Sequence, residues 1–173
     1  PLTMVLPKSE LIPPEVSAGL DTVAVRFPSH PVAQAVIKTS GCPLAAPSAN
    51  LSGSPSPTTA AHVAAGLAGR IEAILDGGSC GVGVESTVIS LAGEKPRLLR
   101  PGGVTLEQLR QVLGNVEMDP AVLNPLPEGT KAASPGMKYK HYAPKAKVII
   151  LKGDIEQYRE YVNSHAQTGV AAM

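Results

Sequence analysis

Tryptophan is absent from the 173 residues, phenylalanine occurs once, and with four tyrosines the aromatic share is 3%. So few rings cannot form the row of stacking platforms on which single-stranded nucleic-acid binders rely. Cysteine is nearly missing as well. Cys42 and Cys80 are too few for a disulfide framework and too far apart in sequence for a zinc knuckle, so they read as small apolar core residues. No sign of charge dominates: 15 Lys plus Arg against 14 Asp plus Glu leave +1. That excludes a global field drawing the chain to nucleic acid or an anionic membrane, and any anion site must be local. Hydrophobic residues make up 43% of the chain, yet no run approaches the roughly 18 apolar residues that span a bilayer. The first residues, starting with Pro1, lack the basic, apolar and small-residue order of a secretory signal. A globular protein of the cytoplasm without a membrane partner is expected, with one domain, or one and part of a second.

What the chain has in abundance is punctuation, 17 glycines and 17 prolines, placed between clear apolar segments rather than clustered as in low-complexity sequence. Thr22 to Phe27 is a β-branched run closed by Pro28 and predicts a strand. Ser29 and Pro31 open a helix that ends before Gly41. A second strand is expected over Pro43-Leu44-Ala45-Ala46, leading into the turn Pro47 to Gly53. Thr58 or Thr59 can cap an alanine-rich helix containing His62 and Leu67. Ile71 to Leu75 predicts a further strand, with Asp76-Gly77-Gly78 as its turn. Glu85 to Leu91 and Arg97 to Leu99 form a hairpin about Gly93, and Thr105 and Gln108 have capping-box spacing before a helix ended by Gly114. Periodicity then vanishes from Asn115 to Lys147, a stretch expected to be an interdomain linker. Val148 to Leu151 reads as a strand, Asp154 and Gln157 open a helix, and Gly169 to Ala172 starts another strand, the beginning of a βαβ unit. The expected domains are therefore 1–114, a linker over 115–147, and the start of a second α/β domain at 148–173.

The residues able to do chemistry lie in the turns. Ser48 and Asn50 follow an apolar segment, where open α/β sheets place ligands, and hydroxyls, an amide and free backbone N–H groups suit phosphate or carboxylate oxygens; such a turn can equally be only a turn. Arg26 ends one strand and Arg100 follows another. Each is a rigid fork for an oxyanion or a surface arginine lying over apolar neighbours. Ser86 and Thr87 follow Gly81-Val82-Gly83-Val84-Glu85, again joining close backbone approach to hydroxyls. From Gly129 to Lys147 there are five lysines and His141 but no acidic residue, which reads as a solvated tether or as a basic strip that folds over a triphosphate or meets RNA backbone. His30, His62 and His165 sit in helical contexts without partners at ligand spacing, so no protein-built metal site is expected.

The order of motifs is more specific than any one of them. Pro1-Leu2-Thr3, Thr22 to Arg26, Ala46-Pro47-Ser48-Ala49-Asn50-Leu51-Ser52-Gly53, Ser56-Pro57-Thr58, Asp76-Gly77-Gly78, Glu85-Ser86-Thr87-Val88 and Leu99-Arg100-Pro101-Gly102-Gly103 follow one another in this chain. In that order they resemble the threonylcarbamoyl-AMP synthase (YrdC-like) family. Ser134 to Pro144 is similar to the linker of its longer, two-domain members. The resemblance implies an α/β fold, a twisted open mixed sheet with helices, followed by the linker and a smaller α/β domain. It also implies a reaction in which L-threonine, bicarbonate and ATP give L-threonylcarbamoyl-AMP and pyrophosphate. Downstream transferase proteins then carry the threonylcarbamoyl group to adenosine in tRNA.

Carried over position by position, the resemblance places Thr22, Ser48, Asn50, Ser56 and Arg100 at ATP, with His141 and Tyr142 closing over the nucleotide from the linker. It places Arg26, Ala46 and Ser86 around threonine, with Arg26 a partner for the carboxylate and Arg100 for phosphate. No nucleophile or tuned general base stands out, which fits catalysis by positioning and charge neutralisation, with Mg2+ held largely by the phosphates. Family members carry roughly a hundred further residues ahead of Pro-Leu-Thr, typical of one compact half-domain and including a Lys-x-Arg element. The expectation is an internal portion of such an enzyme, inactive by itself. The alternatives are an RNA-binding module using the lysine-rich strip, and the carbamoyl-adenylate-forming domain of a hydrogenase-maturation type protein.

Overall fold

In the computed structural model, residues 1–51, 54–123 and 149–166 are described. The chain divides into two compact units, Pro1–Tyr142 and Ala143–Met173. The first is built on strands β1 (Leu2–Pro7), β2 (Thr22–Val25), β3 (Thr87–Ser90), β4 (Arg97–Arg100) and β5 (Glu117–Met118). They lie side by side in the order β2-β1-β3-β4-β5. β1 pairs antiparallel with β2 and parallel with β3, β3 antiparallel with β4, and β4 parallel with β5. The sheet is thus open and mixed, as expected, with helices α1 (Pro14–Ser17), α2 (Pro31–Ser40), α3 (Ala60–Leu67) and α4 (Leu106–Leu113) between its strands.

Side chains alternate across a strand, and here the alternation sorts the sheet into two faces with different uses. On one, Ile89 and Leu98 pack with Leu109 of α4 and with Val116, joined by Leu2 and Met4 of β1. On the other, Val5, Val88 and Leu99 form a smaller cluster, and by the same alternation Thr3 and Ser86 share its face. One face holds the main core. The other carries the polar groups described below.

Local signals account for the helix ends. Thr59 caps α3, its hydroxyl accepting from the His62 N–H at 3.3 Å. Thr105 and Gln108 form a reciprocal capping box at α4, and α2 ends at Gly41 with φ 66°. In the second unit the described element is α5 (Ile155–Ser164), opened by a capping box between Asp154 and Gln157.

Several expectations are corrected. Pro43–Ala46 and Ile71–Leu75 form no strand. A strand exists only through its pairing, and neither segment pairs with a described strand; Leu44 and Leu75 are 48% and 70% exposed. Ordered structure continues past Gly114, where a linker was expected. Val116 is fully buried, Glu117–Met118 pairs with β4, and a 3-10 helix follows at Pro120–Val122. Two parallel pairings after one helix are too short to leave a periodic signature. Residues 149–151 are not strand, Gly169–Ala172 lies outside the described residues, and Cys42 and Cys80 are exposed rather than core. Among the described residues no helix is long and apolar enough to cross a membrane.

Candidate functional site

The site is organised by an irregularity in the β3–β4 hairpin. Ile89 stands opposite Leu98, but the next pair is Val88 with Arg100, so Leu99 and Arg100 together face one residue of β3. A bulge of this kind re-aims a side chain. Leu99 packs with Val88 and Val5, while Arg100 reaches back along β3 to Ser86. Its Nε and Nη2 donate to the Ser86 carbonyl at 3.1 and 3.0 Å, and Nη2 also donates to Ser86 Oγ at 3.2 Å.

A second arginine arrives from the opposite side. Arg26, just past the end of β2, donates from Nη2 to Ser86 Oγ at 2.8 Å and from Nε to Thr3 Oγ1 at 3.0 Å. Thr3 Oγ1 and Ser86 Oγ are 2.8 Å apart, and both residues are buried. Hydroxyl valence then fixes the protons. Ser86 Oγ accepts from two guanidinium groups, which uses both its lone pairs, so its own O–H must donate to Thr3. Thr3 Oγ1 accepts from Arg26 and Ser86, and its remaining proton is directed elsewhere.

Glu85 completes the network. One carboxylate oxygen pairs with Nη1 of Arg100, and the other accepts from Ser56 Oγ at 3.1 Å. Two guanidinium groups against one carboxylate leave the network one positive charge in excess, the balance suited to an anionic ligand.

Two structural details hold this arrangement in place. Thr87 Oγ1 donates to the Val104 carbonyl at 2.6 Å and accepts from the Val104 N–H at 3.0 Å, folding the Pro101–Gly103 turn back on β3. At Gly102 any Cβ would fall onto the Glu85 carbonyl and the Thr87 N–H. Glycine is required there by close approach of two backbones.

Of the residues expected at the site, Arg26, Ser56, Ser86 and Arg100 are brought into one network. Thr22 opens β2 half-buried, and Ala46 and Ser48 lie exposed in the loop before α3. Ser48-Ala49-Asn50 is a strained turn: Ala49 has φ 54°, a left-handed conformation uncommon outside glycine and frequent at ligand sites. The Asn50 amide N–H groups donate to the Leu51 and Ser54 carbonyls at 2.9 and 2.8 Å, and its Oδ1 is buried without a partner among the described residues. That oxygen is an acceptor aimed at no donor among the described residues. His141 and Tyr142 lie outside the described residues.

Sequence reasoning did not single out Thr3 and Glu85. Both stand in the motifs Pro1-Leu2-Thr3 and Glu85-Ser86-Thr87-Val88, but Thr3 reaches Ser86 only through the pairing of β1 with β3, and Glu85 joins only through Arg100 and Ser56. Among the described residues no group of three or more His, Cys, Asp and Glu side chains could hold a metal ion.

Residues 1–102 match the model of the Sua5/YciO/YrdC family, described as Telomere recombination, and residues 104–173 match the Threonylcarbamoyl-AMP synthase, C-terminal domain. The threonylcarbamoyl-AMP synthase of Pyrococcus abyssi is 52% identical over 162 residues, which cover 94% of this chain and 47% of the relative. That of Bacillus subtilis is 52% identical over 169 residues, 97% and 48% of the two chains. The chain therefore spans about half the length of the curated relatives it matches. Among solved structures, that of P. abyssi Sua5 complexed with L-threonine superposes with a TM-score of 0.83 at 52% identity, covering 94% of this chain and 47% of the other. A variant of the same protein, with an adjacent His and Tyr replaced by Ala, superposes with a TM-score of 0.82 at 50% identity, covering 94% and 46%. With residues 1–102 of its 173 matched by that family's model, the chain belongs to the Sua5/YciO/YrdC family.

Proposed function

We propose that this chain supplies one wall of a site that makes L-threonylcarbamoyl-AMP from L-threonine, bicarbonate and ATP. The observation that carries this reading is the convergence of Arg26 and Arg100 on Ser86, with one positive charge in excess. The relatives named threonylcarbamoyl-AMP synthase, and the L-threonine bound to the P. abyssi protein, support it.

In the proposed reaction the threonine amine takes up carbon from bicarbonate, releasing water and forming an N-carboxylate. An oxygen of that carboxylate attacks the α-phosphorus of ATP, and pyrophosphate leaves. Arg26 holds the threonine carboxylate and keeps the amine free to react, while Ser86 and the small side chain of Ala46 leave room for the amino acid. Arg100 and Ser56 lie on the phosphate side. Thr22, Ser48 and Asn50 line the nucleotide, with Asn50 Oδ1, unpaired among the described residues, accepting from a base amine or ribose hydroxyl. His141 and Tyr142, the one His–Tyr pair of the chain, close over it. Both Glu85 oxygens are already engaged, so no carboxylate of the network is free as a general base. Catalysis then rests on positioning and neutralised charge. Mg2+, where present, rides on the phosphates and offsets their charge.

Residues 148–173, including α5, open the second domain in this reading. The product passes in the cytoplasm to proteins that transfer the threonylcarbamoyl group to tRNA. The test supplies a protein of the relatives' length with all three substrates and measures pyrophosphate. Absence of threonine-dependent release refutes the reading. Arg26→Ala is expected to raise the KM for threonine more than that for ATP, and Arg100→Ala the reverse.

A further inference from the structure

Arg100 has five N–H donors, and the structure accounts for four. Nε and one N–H of Nη2 go to the Ser86 carbonyl, the second N–H of Nη2 to Ser86 Oγ, and one N–H of Nη1 to Glu85. The remaining donor is also on Nη1, the nitrogen that Glu85 holds. Ser86 fixes one edge of the guanidinium, and Glu85 fixes the end from which a ligand oxygen would be met.

The other oxygen of Glu85 binds Ser56, 29 residues earlier in the chain, in the segment that follows the Ser48-Ala49-Asn50 turn. Glu85 therefore ties that loop to the arginine of β4. The side chains of Glu85 and Arg100 are only 17% and 21% exposed, so the pair is better shielded than the surface pair of Lys95 with Glu117, at 60% and 38%. Exposed pairs contribute little; a shielded carboxylate sharing its oxygens between two site residues sets their relative geometry. Gly102 packs over the Glu85 carbonyl, so the backbone that carries this side chain is itself held.

We infer that Glu85 is a positioning residue for the nucleotide side of the site: it sets Arg100 and Ser56 at a fixed separation, with one Nη1 donor that no described residue takes up left for a phosphate oxygen. Glu85 does not touch the reacting atoms. This inference rests on the proposed synthase reaction, and its test separates the two.

Wild type, Glu85→Gln and Glu85→Ala are prepared in the full-length protein, and Kd values for ATP and for L-threonine are measured by calorimetric titration beside threonine-dependent pyrophosphate release. Glu85→Ala removes a charge-assisted bond, so its ATP Kd is expected to rise roughly 10- to 100-fold. The threonine Kd stays within about twofold, because Arg26 and Thr3 hold that side. Glu85→Gln keeps an acceptor for Ser56 or Arg100 and is expected to recover part of the loss, which a purely structural role would not produce. An unchanged ATP Kd in Glu85→Ala overturns the inference, and so does an equal loss of both ligands. Should Glu85→Ala fail to fold, the near-isosteric Glu85→Gln decides: a selective loss of ATP affinity supports the role, and wild-type affinity for both ligands overturns it. Wild type that binds ATP but releases no pyrophosphate sinks the synthase reading while the titrations still judge Glu85. Wild type that binds no ATP sinks both.

Discussion

Arg100 stands opposite Val88, one residue later in β4 than an unbroken antiparallel ladder would place it. An unbroken ladder would put Leu99 there and turn Arg100 toward the face where Ile89 and Leu98 form the core, burying a charge among apolar side chains. The slip keeps Leu99 in its cluster and delivers the guanidinium to Ser86. The site exists because the hairpin is irregular.

Ser86 is the shared acceptor of both arginines, so Ser86→Ala leaves an Arg26 donor and an Arg100 donor without their hydroxyl and Thr3 without its proton donor. The variant is expected to lose about 1–3 kcal/mol of stability, the cost of unpaired polar groups away from water. Threonine affinity should fall more than ATP affinity, because Arg100 keeps its two bonds to the Ser86 carbonyl. Urea unfolding and calorimetric titration read the two effects separately. Equal affinities for threonine in the two proteins would show that the hydroxyl does not orient Arg26.

Gly102→Ala tests the backbone contact beneath the network. Its Cβ would lie 2.7 Å from the Ser86 carbonyl carbon, with the Glu85 and Thr87 backbone nearer still. None of these atoms belongs to a flexible side-chain end, so β3 must shift. The expected loss is about 3 kcal/mol, as for overpacking in a well-filled interior, and both ligands should bind more weakly because Glu85 and Ser86 move together. Thermal unfolding at wild-type temperature would contradict the contact.

Val116→Ala tests whether the fold truly continues beyond Gly114. Val116 is fully buried against Ile89, Leu98 and Leu109, and its carbonyl accepts from Arg110 at 3.1 Å. Removing two methyl groups from such a position is expected to cost about 2 kcal/mol. A linker residue would tolerate the change. Denaturant unfolding distinguishes the two, and an unchanged midpoint would return Val116 to a linker.

What could be read from the sequence was local. The capping pairs Thr105–Gln108 and Asp154–Gln157 need only four residues, and both are present as spaced. The β3–β4 hairpin and the α2 stop at Gly41 are equally short-range. What failed depends on partners far along the chain. Pro43–Ala46 and Ile71–Leu75 have strand composition but pair with no described strand, and Val116 is core only because α4 and β4 meet it. The site shows the same division. Arg26 and Arg100 could be picked as strand-end forks, whereas Thr3 and Glu85 become members only through the β1–β3 pairing and the bulge, neither of which has a sequence signature.

The start of α4 supplies a test with a pH axis. Glu107, in its first turn, is held below the usual carboxylate range chiefly by its backbone N–H, then by the Thr105 side chain, with Arg110 adding attraction. A depressed carboxylate stabilises the folded state at pH above its unfolded value, and the contribution disappears as pH falls through the folded value. Wild type should therefore exceed Glu107→Gln in stability at neutral pH and converge with it in acid. Thr105→Ala removes the cap itself and should cost about 1 kcal/mol at neutral pH, with less to lose in acid because one cause of the Glu107 shift goes with it. Urea midpoints of the three proteins across the acid limb measure this; a gap between wild type and Glu107→Gln that widens in acid would mean the carboxylate is not favoured at this helix end.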